Sequence, residues 1–184
     1  MGCATDPCKN TPMQIETARL LIRPWRETDA EHYLKIADDV GYNCFAPPGY
    51  FLAKDSAAAV EKIRPRIEIF EETGLGKFPL FLRSTGSIIG TCGIEPYPGL
   101  GPDAVELGYR LRLNFWELGY ATESAKAVVE YGFKDLKIPK IYAFAVPKNR
   151  ASLGVIRKLG FQSQGNLEHA GILHELYFKN RPES

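Results

Sequence analysis

Glu106-Leu-Gly-Tyr-Arg-Leu-Arg-Leu-Asn-Phe-Trp-Glu-Leu-Gly-Tyr-Ala-Thr-Glu-Ser-Ala-Lys126 is the stretch that decides the fold. Apolar residues alternate through residues 105–113, the mark of a half-buried strand, and the chain then meets Gly119 and a run of helix formers. A strand that enters a helix through a glycine builds an anion site. The N–H groups of a helix's first turn have no partner within the helix, the helix dipole favours negative charge there, and small residues let that charge approach. Leu118, Gly119, Tyr120, Ala121 and Thr122 supply those N–H groups. A glycine before a helix also serves simply to turn a corner, so a second element has to distinguish the two.

That element is Asn149-Arg-Ala-Ser-Leu-Gly-Val-Ile-Arg-Lys-Leu-Gly-Phe161, a short helix stopped at Gly160 and leading through Phe161 into a strand. Together the two stretches resemble the GNAT-type N-acetyltransferases, and among them the branch of ribosomal-protein N-terminal (alanine/serine) acetyltransferases. In that branch a strand, a Trp-x-x-Gly-Tyr-Ala-Thr-Glu turn and an Asn-x-x-Ser helix ending Lys-Leu-Gly-Phe follow in this order. The likeness spans about residues 16–178 and rests on Trp116, residues 119–123, the pair Asn149 and Ser152, and residues 158–161. It departs at Glu117, where the family commonly has glycine or another small residue. A carboxylate thus stands beside the pyrophosphate turn that the resemblance implies.

The 184 residues, 45% hydrophobic and 24% charged, suffice for one substantial core and are too few for two ordinary domains. Residues 1–14 are expected as a mobile tail and residues 15–184 as a single domain. A net charge of +1, from 23 basic and 22 acidic residues without long runs of one sign, excludes the basic footprint of a nucleic-acid binder. Cys3, Cys8, Cys44 and Cys92 form no Cys-x-x-Cys pair and no zinc spacing with His32, His169 and His174, so free thiols in a reducing compartment and no metal are expected. Asp6 stands where a myristoylation signal has Ser or Thr, and no apolar run reaches the roughly 20 residues that cross a bilayer. These features imply a cytoplasmic protein, monomer or homodimer, without membrane or nucleic-acid partners.

Residues 19–25 read as a strand ended by Pro24, followed by a helix that Thr28 and Glu31 open as a capping box and that runs to about residue 40. Residues 42–53, rich in Pro, Gly and aromatics, read as a loop whose Phe45, Tyr50 and Phe51 either line a site or cover the core. A helix is expected over residues 56–73, with Val60, Ile63, Ile67 and Phe70 at helical spacing, Gly74 past its end and Pro65 bending or splitting it. A hairpin follows, residues 80–83 and 87–94 about Thr85-Gly86. Gly99-Leu-Gly101 is no dinucleotide fingerprint, because Pro102 and a strand come next rather than a helix. After the helix that Gly119 opens come a strand over residues 140–146, the helix over residues 149–159, and strands over residues 161–164 and 173–179. The string β-α-α-β-β-β-α-β-α-β-β implies an α/β domain with a mixed central sheet and helices on both faces. The resemblance makes this the GNAT fold, in which two neighbouring central strands splay apart and acyl-CoA lies between them.

The resemblance further implies an acyl-CoA-dependent N-acyltransferase that moves an acetyl group from acetyl-CoA to a primary amine, a protein N-terminus or a small molecule, by direct attack in a ternary complex. A longer donor such as succinyl-CoA and a non-catalytic acyl-CoA-binding or regulatory module are the alternatives. Main-chain bonds to pantetheine and to the thioester oxygen fall at Leu111, Arg112 and Leu113, an oxyanion hole built from backbone. The pyrophosphate falls on residues 118–122, and Asn149 and Ser152 complete the cofactor-binding set. Arg112, Lys126, Lys148 and Arg150 are candidates for the ribose 3′-phosphate, although each taken singly reads first as an ordinary solvated surface charge. Many GNAT enzymes carry a tyrosine seven residues beyond the asparagine; Ile156 stands there, which nominates Ser152 as proton donor to the departing thiolate, although a serine in a helix's first turn also caps it. For the base, Glu106 acts through a water, while His174 and Glu175 fall on opposite faces of one strand. At pH 7 an α-amine is roughly 10% neutral and a lysine about 0.04%, a gap of about 3 kcal/mol, so a sparsely equipped site suits a low-pKa amine.

Overall fold

Among the described residues eight strands form one sheet, in the order β1-β2-β3-β4-β5-β6-β8-β7. They are β1 (Ile15–Glu16), β2 (Leu20–Ile22), β3 (Gly76–Leu82), β4 (Ile88–Pro96), β5 (Val105–Leu111), β6 (Lys140–Ala145), β7 (Gln162–His169) and β8 (Ile172–Asn180). Among the same residues five α-helices accompany them: α1 (Ala30–Ala37), α2 (Val40–Asn43), α3 (Ser56–Thr73), α4 (Tyr120–Lys134) and α5 (Arg150–Lys158). The structure is a computed structural model that describes residues 13–183.

The sheet is mixed, as expected: β5 and β6 run parallel and the other neighbours antiparallel. Between β4 and β5 the ladder is continuous from Gly90↔Leu111 to Pro96↔Val105. Between β5 and β6 it consists of the single bridge Glu106↔Tyr142. Beyond that bridge the two central strands part, which is the expected splay.

Each face of the sheet has its own core. Val128, Val129 and Phe133 of α4 and Leu153 and Ile156 of α5 pack on Leu107, Leu111, Ile141 and Ala143. On the other face Tyr33 and Ile36 of α1 and Ala59 and Ile63 of α3 pack with Trp25, Phe81 and Ile88. Each fully buried Val, Leu, Ile or Phe side chain among them contributes about 1.5–3 kcal/mol, so both helix layers are held firmly on the sheet.

Several local expectations are corrected. Thr28 and Glu31 form no capping box. Asp29 takes that role because its carboxylate accepts from the Arg26 N–H (2.9 Å) and, bidentately, from the Arg23 guanidinium (2.7 and 2.8 Å), while Glu31 accepts from the Ser56 hydroxyl. The helix that follows ends at Ala37 rather than near residue 40, because Asp39 accepts from the Gly41 and Tyr42 N–H groups (3.0 and 3.2 Å) and starts α2 within the expected loop. The loop's aromatics divide: Tyr42 and Phe51 are buried edge to face, 4.9 Å apart, whereas Phe45 and Tyr50 are exposed. Helix α3 has the expected ends and is not split at Pro65. Pro65 and Glu61, whose carbonyl it leaves without a helical partner, both lie on the exposed side, where that carbonyl is open to solvent.

Residues 1–12 lie outside the described residues. Met13 and Gln14, counted with the tail from sequence, belong to the fold: Met13 is buried in the core and the Gln14 amide donates to Glu16 (2.8 Å). Strands β1, only two residues long, and β7, almost wholly exposed, give little or no apolar alternation, which is why the first was missed and the second was read too short. Among the described residues no helix is long and apolar enough to cross a membrane.

Candidate active site

The chain leaves β5 through a 3-10 turn (Leu113–Phe115), and the Trp116 indole N–H donates back to the Leu111 carbonyl (2.9 Å). Glu117 then takes φ 60°, a left-handed conformation that costs a side-chain-bearing residue about 1–2 kcal/mol, which is a physical reason for a small residue there. Its carboxylate is exposed. Gly119, at φ 84°, turns the chain into α4. The N–H groups of residues 118–122 have no acceptor among the described residues, and the first helical bond is from Glu123 N–H to Gly119 C=O (3.0 Å). Five free donors therefore gather at the head of a 15-residue helix.

Arg19 is the cation at this turn, and it was missed from sequence. Its Nε donates to Glu123 Oε2 (2.7 Å), its backbone N–H to Glu123 Oε1 (3.0 Å) and its Nη1 to the Leu118 carbonyl (3.0 Å). The guanidinium lies 4.1 Å from the Tyr120 ring centroid, and a methyl group on Gly119 would stand 3.4 Å from its Nη2. Thr17 also donates to Glu123 Oε1 (2.6 Å). Burial pushes the Glu123 carboxyl up, but the bonds from Thr17 and Arg19 outweigh it and hold it below its ordinary value. The signal available in the sequence was Glu123 itself, an acid in the first turn of α4 that calls for a compensating cation.

Along the opening, the Arg112 N–H donates to Ile89 C=O (2.9 Å). Antiparallel bonding alternates, so Arg110 and Arg112 bond to β4 while the main-chain groups of Tyr109 and Leu111 face the opening. The Leu113 N–H is held by Asp39 Oδ1 (2.9 Å), and Arg112 Nε approaches Asp39 Oδ2 (3.4 Å). Of the three residues expected to supply main-chain bonds, Leu111 thus has its N–H turned to the opening, while Arg112 and Leu113 have theirs in other bonds.

Asn149 Oδ1 accepts from Ser152 N–H (3.1 Å) and caps α5. Ser152 Oγ lies 3.0 Å from the Tyr109 hydroxyl, which also donates to the Ser152 carbonyl (2.9 Å). Burial raises the Tyr109 phenol and keeps it protonated. Ile156 is buried in the core. Lys126, Lys148 and Arg150 are exposed.

Glu106 is not alone on its face. Lys77 Nζ stands 3.6 Å from it and 3.0 Å from Glu95, across three adjacent strands. Burial disfavours the Lys77 charge, but Glu106 and Glu95 more than compensate and hold its pKa above the ordinary lysine value. Around this ion cluster stand Tyr97, Phe144, His169 and His174: Tyr97 bonds to His169 Nδ1 (2.7 Å), and Phe144 packs against all three other rings at 5.1–5.4 Å. Burial and then the Glu106 charge raise the Tyr97 phenol. Glu175 lies on the opposite face, tied to the Tyr177 hydroxyl (2.7 Å) and to Arg157 (3.3 Å). Of the two acids and one histidine considered as base, Glu106 and His174 therefore share the face of the opening and Glu175 does not.

A helix head with five free N–H groups, a neighbouring gap between central strands and an acid at the foot of that gap thus lie together. The family described as acetyltransferase (GNAT) domain matches residues 19–162. The uncharacterized N-acetyltransferase YnaD of Bacillus subtilis (strain 168) is 33% identical over 153 residues, 83% of this chain and 85% of YnaD. An acetyltransferase (GNAT family) structure from Bacillus anthracis superposes with a TM-score of 0.76 at 25% identity, over 93% of this chain and 100% of that one. The ribosomal-protein acetyltransferase RimL, solved in complex with coenzyme A, shares the fold at a TM-score of 0.76 and 16% identity, over 91% and 98% of the two chains. With most of its length matched, and by both sequence and fold, the chain belongs to the GNAT acetyltransferase family.

Proposed function

We propose that the protein transfers an acetyl group from acetyl-CoA to a primary amine by direct attack in a ternary complex. The observation that carries this reading is the row of five free N–H groups at residues 118–122 beside the point where β5 and β6 part. Those groups, with Arg19 at their edge, receive the pyrophosphate. Tyr109 and Leu111 offer main-chain bonds to the pantetheine arm along the opening, and the Leu111 N–H polarises the thioester carbonyl.

The amine reaches the thioester from the face of Glu106. Glu106, through a water, receives the proton that the amine loses as its nitrogen bonds the acetyl carbon. The carbon–sulfur bond breaks, and Ser152 Oγ–H gives its proton to the departing thiolate and regains one from water, while the Tyr109 hydroxyl, 3.0 Å away, holds the serine in place. CoA thiolate leaves readily enough that this last step assists rather than governs. A primary amine of low pKa suits a site so sparingly equipped.

Titration calorimetry with acetyl-CoA, followed by a thiol-release assay over amine classes, tests the reading. Donor binding together with CoA release in the presence of at least one amine is expected. Binding without release from any amine would favour an acyl-CoA-binding module, and no binding would refute the site.

A further inference from the structure

The acceptor face of the opening carries a charge pattern that bears on which amines enter, and this inference rests on the transfer reading above. Lys77 reaches from β3 across β4 to β5, 3.0 Å from Glu95 and 3.6 Å from Glu106. It lies so close over Gly108 that a methyl group there would fall 2.3 Å from Cε and 2.7 Å from Nζ. Gly108 is the seat of the lysine, and any side chain at that position displaces it. The ammonium therefore occupies the spot beside Glu106 that an incoming cation would take.

Its neighbours reinforce it. Arg110, on the same face of β5, donates to the carbonyls of Tyr42 and Phe45 (both 3.3 Å), and Arg66 of α3 stands 5.7 Å from the Tyr33 ring in the same layer. Arg112 and Asp39 are paired with each other. Two cations, Lys77 and Arg110, thus stand on the face of two carboxylates, Glu95 and Glu106. His169 and His174 at the rim add no negative charge.

We propose that Lys77 is a specificity-determining residue, which bars a second ammonium group from Glu95 and Glu106 and selects amines borne on a neutral or anionic body over polyamines. The physical basis is Coulombic. A like charge a few ångströms away in a half-buried site is poorly screened by salt, so a polyamine meets repulsion where an acidic pocket would hold it. The same ammonium favours the neutral form of any amine that docks beside it, which is the form that attacks.

The test compares kcat/KM for trialanine, an α-amine with a free carboxylate, with that for spermidine, using acetyl-CoA as donor, in the parent and in Lys77→Met, Lys77→Arg and Gly108→Ala. The parent is expected to prefer trialanine. Lys77→Met should move the ratio toward spermidine by at least about tenfold, Gly108→Ala should move it the same way by displacing the ammonium, and Lys77→Arg should keep the parent's ratio. A loss of folding or of general activity would lower both acceptors together and leave the ratio unchanged. A parent that prefers spermidine, or an unchanged ratio in folded Lys77→Met or, should that variant not fold, in Gly108→Ala, overturns the assignment. Failure of the parent to release CoA with any amine counts against the transfer reading and removes the Lys77 assignment with it; turnover at an unchanged ratio counts against Lys77 alone.

Discussion

Single residues at the donor turn divide into those whose role is local and those whose role depends on a distant partner. Gly119 and Asn149 act within a few residues of themselves, one by a positive φ and the other by capping; the glycine turn was legible from spacing, whereas the cap was assigned to Ser152 and is made by Asn149. Arg19 and Lys77 were not, because their partners Glu123 and Glu106 are far along the chain and meet them only in the folded sheet. Tyr109 was missed for the same reason: its link to Ser152 crosses the opening. If Arg19 supports the pyrophosphate, Arg19→Gln should weaken acetyl-CoA binding by about tenfold, about 1.4 kcal/mol, while leaving turnover of S-acetylpantetheine, which has no phosphates, nearly unchanged. Calorimetry and a thiol-release assay read the two quantities, and an equal loss with both donors would make Arg19 merely structural. Ser152→Ala should lower kcat only severalfold, since the thiolate can leave unprotonated. Glu106→Gln should shift the alkaline-rising limb of the pH–rate profile; full activity in both variants across the pH range would leave catalysis to backbone polarisation and proximity alone.

Among the elements, the buried start of α1 carries the clearest stability consequence. Burial pushes the Asp29 carboxyl up, but the bonds from Arg23 and the Arg26 N–H outweigh it, and the folded pKa falls below the ordinary value. Protonation is then harder in the folded state than in the unfolded one. The stabilisation is complete above the unfolded carboxylate's pKa and is lost as pH falls through the lower, folded one. Asp29→Asn, which strands the Arg23 guanidinium, should cost about 3 kcal/mol at pH 7, and the gap from the parent should narrow in urea unfolding at about pH 3. A gap that is the same at both pH values would contradict the linkage. The sequence located a helix start here, yet it assigned the cap to Thr28 and Glu31, because spacing alone cannot tell which acid a neighbouring arginine will hold. The polar strand β7 shows the complementary limit: an edge strand exposed on both faces has no apolar period to read.

For the whole molecule, the order of strands and helices and the mixed sheet with helices on both faces were legible, because each buried element carries its own hydrophobic period. The opening itself entered through a family resemblance, since no periodicity reports that two strands share only one bridge. In the proposed transfer, donor and acceptor meet through the sheet, the donor at the head of α4 and the amine on the face of Glu106 and Lys77. Calorimetric titration of acetyl-CoA into the parent and into a Gly119→Trp variant of unchanged circular dichroism tests this most directly. The account predicts measurable binding by the parent and its loss in the variant, where a bulky side chain at φ 84° fills the space before the five free N–H groups. Equal affinity in a folded Gly119→Trp protein would contradict it.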